Sequence, residues 1–438
     1  MKPALLRGGR VIDPANGVDA IADLLILNGR IGEIGWNLSP AGGDVYDCEG
    51  KIVCPGFIDL HVGVRDPGFE EDETTATATA AALAGGFTAI ASLPDTAPVV
   101  DNRAAAEYVI LQAARAGNCR VYPLGAVTRG NAGQELADLG QLADGGAVAF
   151  TDAKKPLQSA EILRRALEYA RMFRRPIFTH PQDAALTAGG VMHEGYYSTL
   201  LGLRGMPAAA EEIMVSRDIA LAELTGGRVH LMCLSTKGAV EAVRRAKGKA
   251  SLSTAGQRNS SLVTADVAVH NLLLTDAALQ TYDAHCKVNP PFRSEDHVRA
   301  LIEGLQDGTL DAISSDHQPS AAEKTSRELD VVPFGIVGLE TVLPLCVRAL
   351  IEPGHVKWPQ LIALLTSGPA RVLELGERGT LSLGVEADVT VIDPQARWTI
   401  DPQCFRSKSR NTPFGGWTVQ GRVEWVFVGG DLRFRANG

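Results

Sequence analysis

Apolar positions alternate at period two at both ends of the chain and gather into short unbroken runs in between. Near the start, "ADLLILNGRIGEIG" sets two alternating runs on either side of Asn28-Gly29, a strong signal for a two-residue hairpin. Near the end, "EADVTVIDPQARWTI" and "GRVEWVFVGGDLRF" alternate in the same way, and Gly429-Gly430 predicts a second tight turn. Both ends therefore read as parts of one small β domain that forms when the termini meet.

Between them the rhythm changes to helix, glycine, buried strand. "TTATATAAALAGG" precedes "FTAIASLPD", "SAEILRRALEYARMFRR" precedes "PIFTH", "SRDIALAELTGG" precedes "RVHLMCLST", and "RALIEGLQDGTL" precedes "DAISSDHQP". Ile162, Leu163, Leu167 and Ala170 recur at helical spacing, and Gly-Gly pairs stop other helices. The strands are short, continuously apolar and rich in Ile, Val and Phe, as strands buried on both faces are. Repeated βα units over about 300 residues predict a parallel sheet, and a closed barrel suits that length. The expected division is 1–53 and 371–438 as the two parts of the β domain, with 54–370 as the barrel.

Composition narrows the class. Apolar residues make up 45% of the 438 and charged residues 21%, ordinary for a globular enzyme. The net charge of −9 is spread along the chain without a basic block, which argues against nucleic-acid binding. No window approaches the roughly 18 apolar residues of a membrane span, and "MKPALLRGGRVIDPANG" lacks the apolar core of a signal peptide. Seven scattered cysteines with no C-x-x-C pair fit reduced thiols, so the expected compartment is the cytoplasm.

In βα barrels chemistry sits where strands end. There fall His61, Asp95, Asp152, His180, Cys233 and Asp316. A metal that activates water needs His and carboxylate ligands from several strand ends, with one position left open. His61, Asp152, His180, Cys233 and Asp316 form a partial set of that kind. Each also has a plainer reading: a hydrogen-bonded loop residue for the His and Asp positions, a small core residue for Cys233. "CPGFIDLHVGVRDPG" ends its strand in His61-x-Gly63 where His-x-His would open a metal site, and its Arg65 can meet a small anion.

The motifs "PGFIDLHVGVRDPG", "GGFTAIASLPDT", "GAVAFTDAKKP", "KVNPPFRSE", "DAISSDHQP", "PFGIVGLET" and "SKSRNTPFGGWTVQGRV" resemble the dihydroorotase branch of the amidohydrolase superfamily over nearly the full length. The resemblance implies a distorted (β/α)8 TIM barrel of the amidohydrolase type with a small β-sandwich formed by the N- and C-terminal segments. It also implies an ancestral role in pyrimidine biosynthesis, interconverting carbamoyl aspartate and dihydroorotate. The departures from the family pattern fall on the chemistry. Gly63 replaces a histidine, the Asp-Asp-Gly turn has become Asp152-Ala153-Lys154, Gln182 stands for a Glu, Cys233 for a metal-binding histidine, and Ser320 for the histidine ending "DHAPH". Asp316, the family's general base and metal ligand, remains, with Arg65, Asn289 and His317 on the substrate side. Asp95 stands where an asparagine would meet the substrate carboxylate.

These losses lead to the expectation of a non-catalytic chain. Its remnant site is Asp316, Arg65, Asn289, His317 and Asp95, with no catalytic residues, no bound metal and no cofactor. The resemblance then implies a structural partner of the aspartate carbamoyltransferase catalytic chain, itself a homo-oligomer (a dimer) within a larger complex. The alternative is a working zinc-dependent cyclic amidohydrolase with a rebuilt mononuclear site drawn from His61, Asp152, His180, Cys233 and Asp316. A ligand sensor holding a carboxylate through Arg65 and Asn289 is a third reading. "RRALEYARMFRR" is expected to be a solvated helix face, the stretch around His193 and Tyr197 a loop over the barrel mouth, 320–330 a mobile polar segment, and His230 an ordinary strand residue.

Overall fold

The computed structural model describes residues 2–40, 42–253 and 262–436, with side chains of 249–253 left aside. Eight parallel strands follow one another around a barrel: Phe57–Val62 (β1), Phe87–Ser92 (β2), Arg120–Gly125 (β3), Ala149–Phe150 (β4), Ile177–Thr179 (β5), Val229–Leu231 (β6), Val263–Ala268 (β7) and Ala312–Ser314 (β8). Neighbours pair in sequence order from β1 to β8. All six residues of β1 and of β2 are buried, which is why these strands read as unbroken apolar runs. Ile58, Leu60, Ala91, Leu124, Phe178 and Met232 share one apolar cluster with Ala370 and Val372 of the helix Ser367–Val372. The expected amidohydrolase-type barrel is what the chain forms.

The helices take the predicted places. Thr75–Ala84 starts on a Thr74 capping box and precedes β2. Ala160–Ala170 buries Leu163, Ala166, Leu167 and Ala170 and leaves Arg164, Arg165 and Glu168 to solvent. Ala209–Thr225 precedes β6, and Glu295–Gln306 precedes β8.

Both termini build the second layer. Strands Ala4–Asp13, Val18–Leu27, Arg30–Gly35, Asp44–Asp47, Ile52–Pro55, Val389–Thr399, Thr418–Val428 and Asp431–Arg435 join in one eight-stranded, largely antiparallel sheet. Ile52–Pro55 pairs with Val389–Thr399, so the first and last parts of the chain meet through main-chain hydrogen bonds. Asn28 and Gly29 both have positive φ, as do Gly429 and Gly430, the geometry of the two hairpin turns expected there. Leu6, Val11, Leu24, Val53, Val389 and Phe427 give this layer its own core. Arg120 of β3 and Arg378 link it to the barrel through Glu386 and Asp388. Among the described residues no helix is long and apolar enough to cross a membrane.

Candidate metal centre

The centre grows from the C-terminal ends of four strands. His61 is the penultimate residue of β1, Cys233 lies two residues beyond β6, Asp316 two beyond β8, and Asp266 within β7. His61 donates from Nε2 to Asp266 Oδ2 at 2.7 Å, and its Nδ1 lies 3.8 Å from Asp316 Oδ1 with no hydrogen-bond partner. Cys233 Sγ is 3.7 Å from His61 Nε2. Among the described residues, donor atoms of His61, Cys233 and Asp316 fall within 4.8 Å of one another, all three side chains buried. His180 is buried beside them, with neither ring nitrogen hydrogen-bonded.

Asp266 organises the group. Its carboxylate also accepts from His230 Nε2 at 3.0 Å, from the Cys233 amide at 2.8 Å and from Ser314 Oγ at 3.2 Å. Burial works against its charge, but His61 and His230 hold it far below the usual carboxylate range. Burial pulls His61 toward its neutral form, yet Cys233 and Asp266 outweigh that and raise it well above the ordinary histidine value. Burial also pushes the Cys233 thiol up, with Asp316 adding to the shift. Asp316 comes down to about 2 because Lys154, His61 and His270 together overcome its desolvation.

Lys154 is the unexpected member. Its Nζ lies 2.7 Å from Asp316 Oδ1, 3.4 Å from Cys233 Sγ and 3.2 Å from the Asn289 carbonyl oxygen. Asp152, two residues earlier, is not brought to the cluster. It accepts from the Thr128 amide at 2.9 Å and from the Thr128 hydroxyl, so its carboxylate anchors the turn.

The substrate side is similarly divided. Arg65 pairs with Asp95 at 2.9 Å and donates to Gln318 Oε1 at 2.6 Å. Both residues line a mouth cavity of about 420 Å³ with Asn131, Lys155, Ser320 and Phe334. Asn289 exchanges two hydrogen bonds with Gln182, at 3.1 and 3.0 Å, and so faces protein. His317 accepts at Nδ1 from the Gly338 amide and meets Glu73 through Nε2 at 3.4 Å, leaving no free ring nitrogen. The stretch around His193 is a packed lobe: Met192–His193 pairs with Gly205–Met206, and buried Arg293 holds His193 Nδ1 at 3.1 Å. The segment 320–330 is tied by Lys324 to Glu71 and Asp72 at 2.8 and 2.6 Å.

Asp266, Lys154 and His270 escape a reading that looks only at strand ends. Asp266 and His270 carry a signal in "VTADVAVH": an acid within a buried apolar run demands partners, and a histidine closes the run. His230, expected to be an ordinary strand residue, reaches the centre through Asp266.

The donors fit one ion. One nitrogen of His61, the Cys233 sulfur and a carboxylate oxygen of Asp316 make three protein ligands and an open position, the pattern of catalytic zinc, and His61 Nδ1 is an orphaned buried nitrogen. Fold and site together define an amidohydrolase-type barrel. A family model described as "Dihydro-orotase-like" matches residues 50–239. A protein of Syntrophotalea carbinolica named Dihydroorotase is 47% identical over 433 residues, covering 99% of each chain. One of the same name from Pelotomaculum thermopropionicum is 47% identical over 426 residues, 97% of each. The chain belongs to the dihydroorotase-like family. In fold it is similar to an L-hydantoinase (dihydropyrimidinase) from Arthrobacter aurescens, with TM-score 0.85 and 22% identity over 99% of this chain and 96% of that one. A D-hydantoinase (dihydropyrimidinase) from Thermus sp. gives 0.80 and 23% over 99% and 95%.

These findings correct the expectation of a non-catalytic subunit of an aspartate carbamoyltransferase complex. Relatives that share nearly half their residues end to end carry an enzyme's name. Against the expectation of no metal, the convergence of buried N, S and O donors favours the zinc alternative. Gly63 and Ala153 remove candidate ligands, and the donors that remain at His61, Cys233 and Asp316 are close enough to suit a single ion.

Proposed function

We propose that the chain is a metal-dependent hydrolase of cyclic amides, of the dihydroorotase kind, using one zinc ion held by His61, Cys233 and Asp316. The observation that carries this is the convergence of those three buried donors from separate strands. When bound, the ion lowers the pKa of water and polarises the scissile carbonyl. The chain's own residues do the rest. With the ion bound, His61 would give up its Nδ1 proton while Asp266 would hold the other proton on Nε2. Asp316 is held ionised and can accept a proton from an attacking water. The mouth cavity lined by Arg65 has room for a small ring, while the pocket at Cys233 and His180 is only about 10 Å³, and Arg65 offers a guanidinium whose charge is shared with Asp95. Six buried cysteines, with only Cys404 exposed, support a reducing, cytoplasmic setting.

Purified protein loaded with zinc is expected to carry about one ion per chain and to turn over dihydroorotate or a related cyclic ureide. Cys233→Ala should lose the ion and lower turnover by at least about 100-fold, more than typical losses outside the ligand set. Zinc-loaded protein that hydrolyses neither dihydroorotate nor a neutral dihydropyrimidine or hydantoin would overturn the reading.

A further inference from the structure

We propose that Lys154 is a tethered cation that competes with the metal for Cys233 and Asp316, so that the ion enters only as the ammonium swings out. This rests on the single-metal reading above and concerns what controls occupancy of that site.

An ammonium has three N–H donors and no acceptor, and burying it is costly unless all three are met. Lys154 meets them with a carboxylate oxygen, a sulfur and a main-chain carbonyl, at 2.7, 3.4 and 3.2 Å. Two of these three acceptors are also two of the three metal donors. A divalent ion and the ammonium therefore cannot share the centre: they draw on the same lone pairs and repel each other.

The backbone aims the lysine inward. Ala153 has φ 55°, a left-handed conformation uncommon for a residue with a Cβ. The turn is pinned at both sides, by Asp152 on Thr128 and by the Ala153 amide on Thr151 Oγ1 at 3.0 Å. The lysine side chain is 20% exposed while its partner Asp316 is 3% exposed, so solvent reaches the lysine's side chain and not the carboxylate it holds. Its neighbour Lys155 lines the mouth cavity. Asp316 then always has a cationic partner, either the lysine or the metal.

The test compares zinc affinity of the full-length wild type, Lys154→Met and Lys154→Gln by competition with a chromophoric chelator. Zinc-induced shifts in Tm serve as a second readout, and Cys233 thiolate absorption in the cobalt-substituted forms as a third. Removing one charge-assisted competitor should tighten zinc by about tenfold to a hundredfold in both variants. The variants should also show the larger Tm shift, and thiolate–cobalt absorption at lower metal concentration. Zinc affinities equal to or weaker than the wild type's, with the wild type binding one ion, would overturn the role of Lys154 and leave the metal reading standing. No zinc bound by any of the three proteins would overturn both.

Discussion

Gly63 is walled in by its neighbours. A Cβ built there would lie 3.1 Å from the His317 carbonyl oxygen, 3.2 Å from Gln318 Oε1 and 3.3 Å from Arg65 Cζ. The space a histidine would need is filled by the Arg65–Gln318 pair, which is itself locked by Asp95. Gly63→His should therefore cost about 1–3 kcal/mol as an overpacked core substitution does, read as a lower urea midpoint, without adding a second zinc to the chain. Residue by residue, the sequence shows which groups are present but not what they face. Cys233 reads equally well as core or ligand until Asp266 is seen to hold its amide and Lys154 its sulfur. Asp152 and His317 look like site residues, yet Thr128 and Glu73 have claimed them. Those partners stand 24 and 244 residues away, beyond any local pattern.

At the scale of elements, the segment 407–411 leaves the terminal sheet and crosses to the barrel. Glu340 on the Ser407 amide, Ser409 on the Asp72 carbonyl and Asn411 on the Gln318 and Gly335 carbonyls hold it, together with one buried carboxylate. Glu73 accepts from the Ser407 hydroxyl, the Lys408 amide at 3.0 Å and the Thr77 hydroxyl, and meets His317 at 3.4 Å. Burial opposes its charge, but His317 and the hydroxyls hold it below the ordinary glutamate value. Glu73→Ala strands these donors and should cost about 3–5 kcal/mol in equilibrium unfolding, as breaking a buried pair does. A cost under about 1 kcal/mol would show that the segment is held by other contacts. Elements were far more legible than partners. Period-two alternation and Asn-Gly or Gly-Gly turns are local signals, and so are apolar runs flanked by helix stops; the hairpins and βα units follow them. The lobe at 192–206 was not legible as structure, because its order comes from Arg293, about a hundred residues downstream.

For the molecule as a whole, buried neutral histidines set the response to acid. Burial brings His180 down to about 3, with Lys154 adding to it, and brings His193 and His270 down to about 4. Unfolded histidines titrate near 6.5, so as pH falls below that the unfolded chain takes up protons first. Stability from these three is present in full above about pH 6.5 and is lost as pH falls toward the folded values. Each contributes about 1.4 kcal/mol per pH unit across that window, and Glu340, raised by burial to about 7, works the other way and offsets about one such share, leaving about 3 kcal/mol per unit. His61 shifts the other way: its contribution is complete below about 6.5 and fades only as pH rises through its folded value, so it does not offset the loss. Urea unfolding of the metal-free protein between pH 7 and 5 should show the decline. His193→Gln should remove about half of the net slope, and a flat wild-type profile would contradict the assignment.

The barrel's hydrogen-bonded order runs from β1 to β8 and stops, with no ladder between these two strands among the described residues. Asp59 reaches across to the Ser315 amide at 3.0 Å, and the Gly63 amide donates to the His317 carbonyl at 2.9 Å. This is the unwelded joint of the hoop, stitched by these two bonds and by Arg65 on Gln318. His61 stands on one lip of the joint and Asp316 on the other. An ion gripped by both is a clasp as well as a reagent, fastening the ring where its own backbone does not.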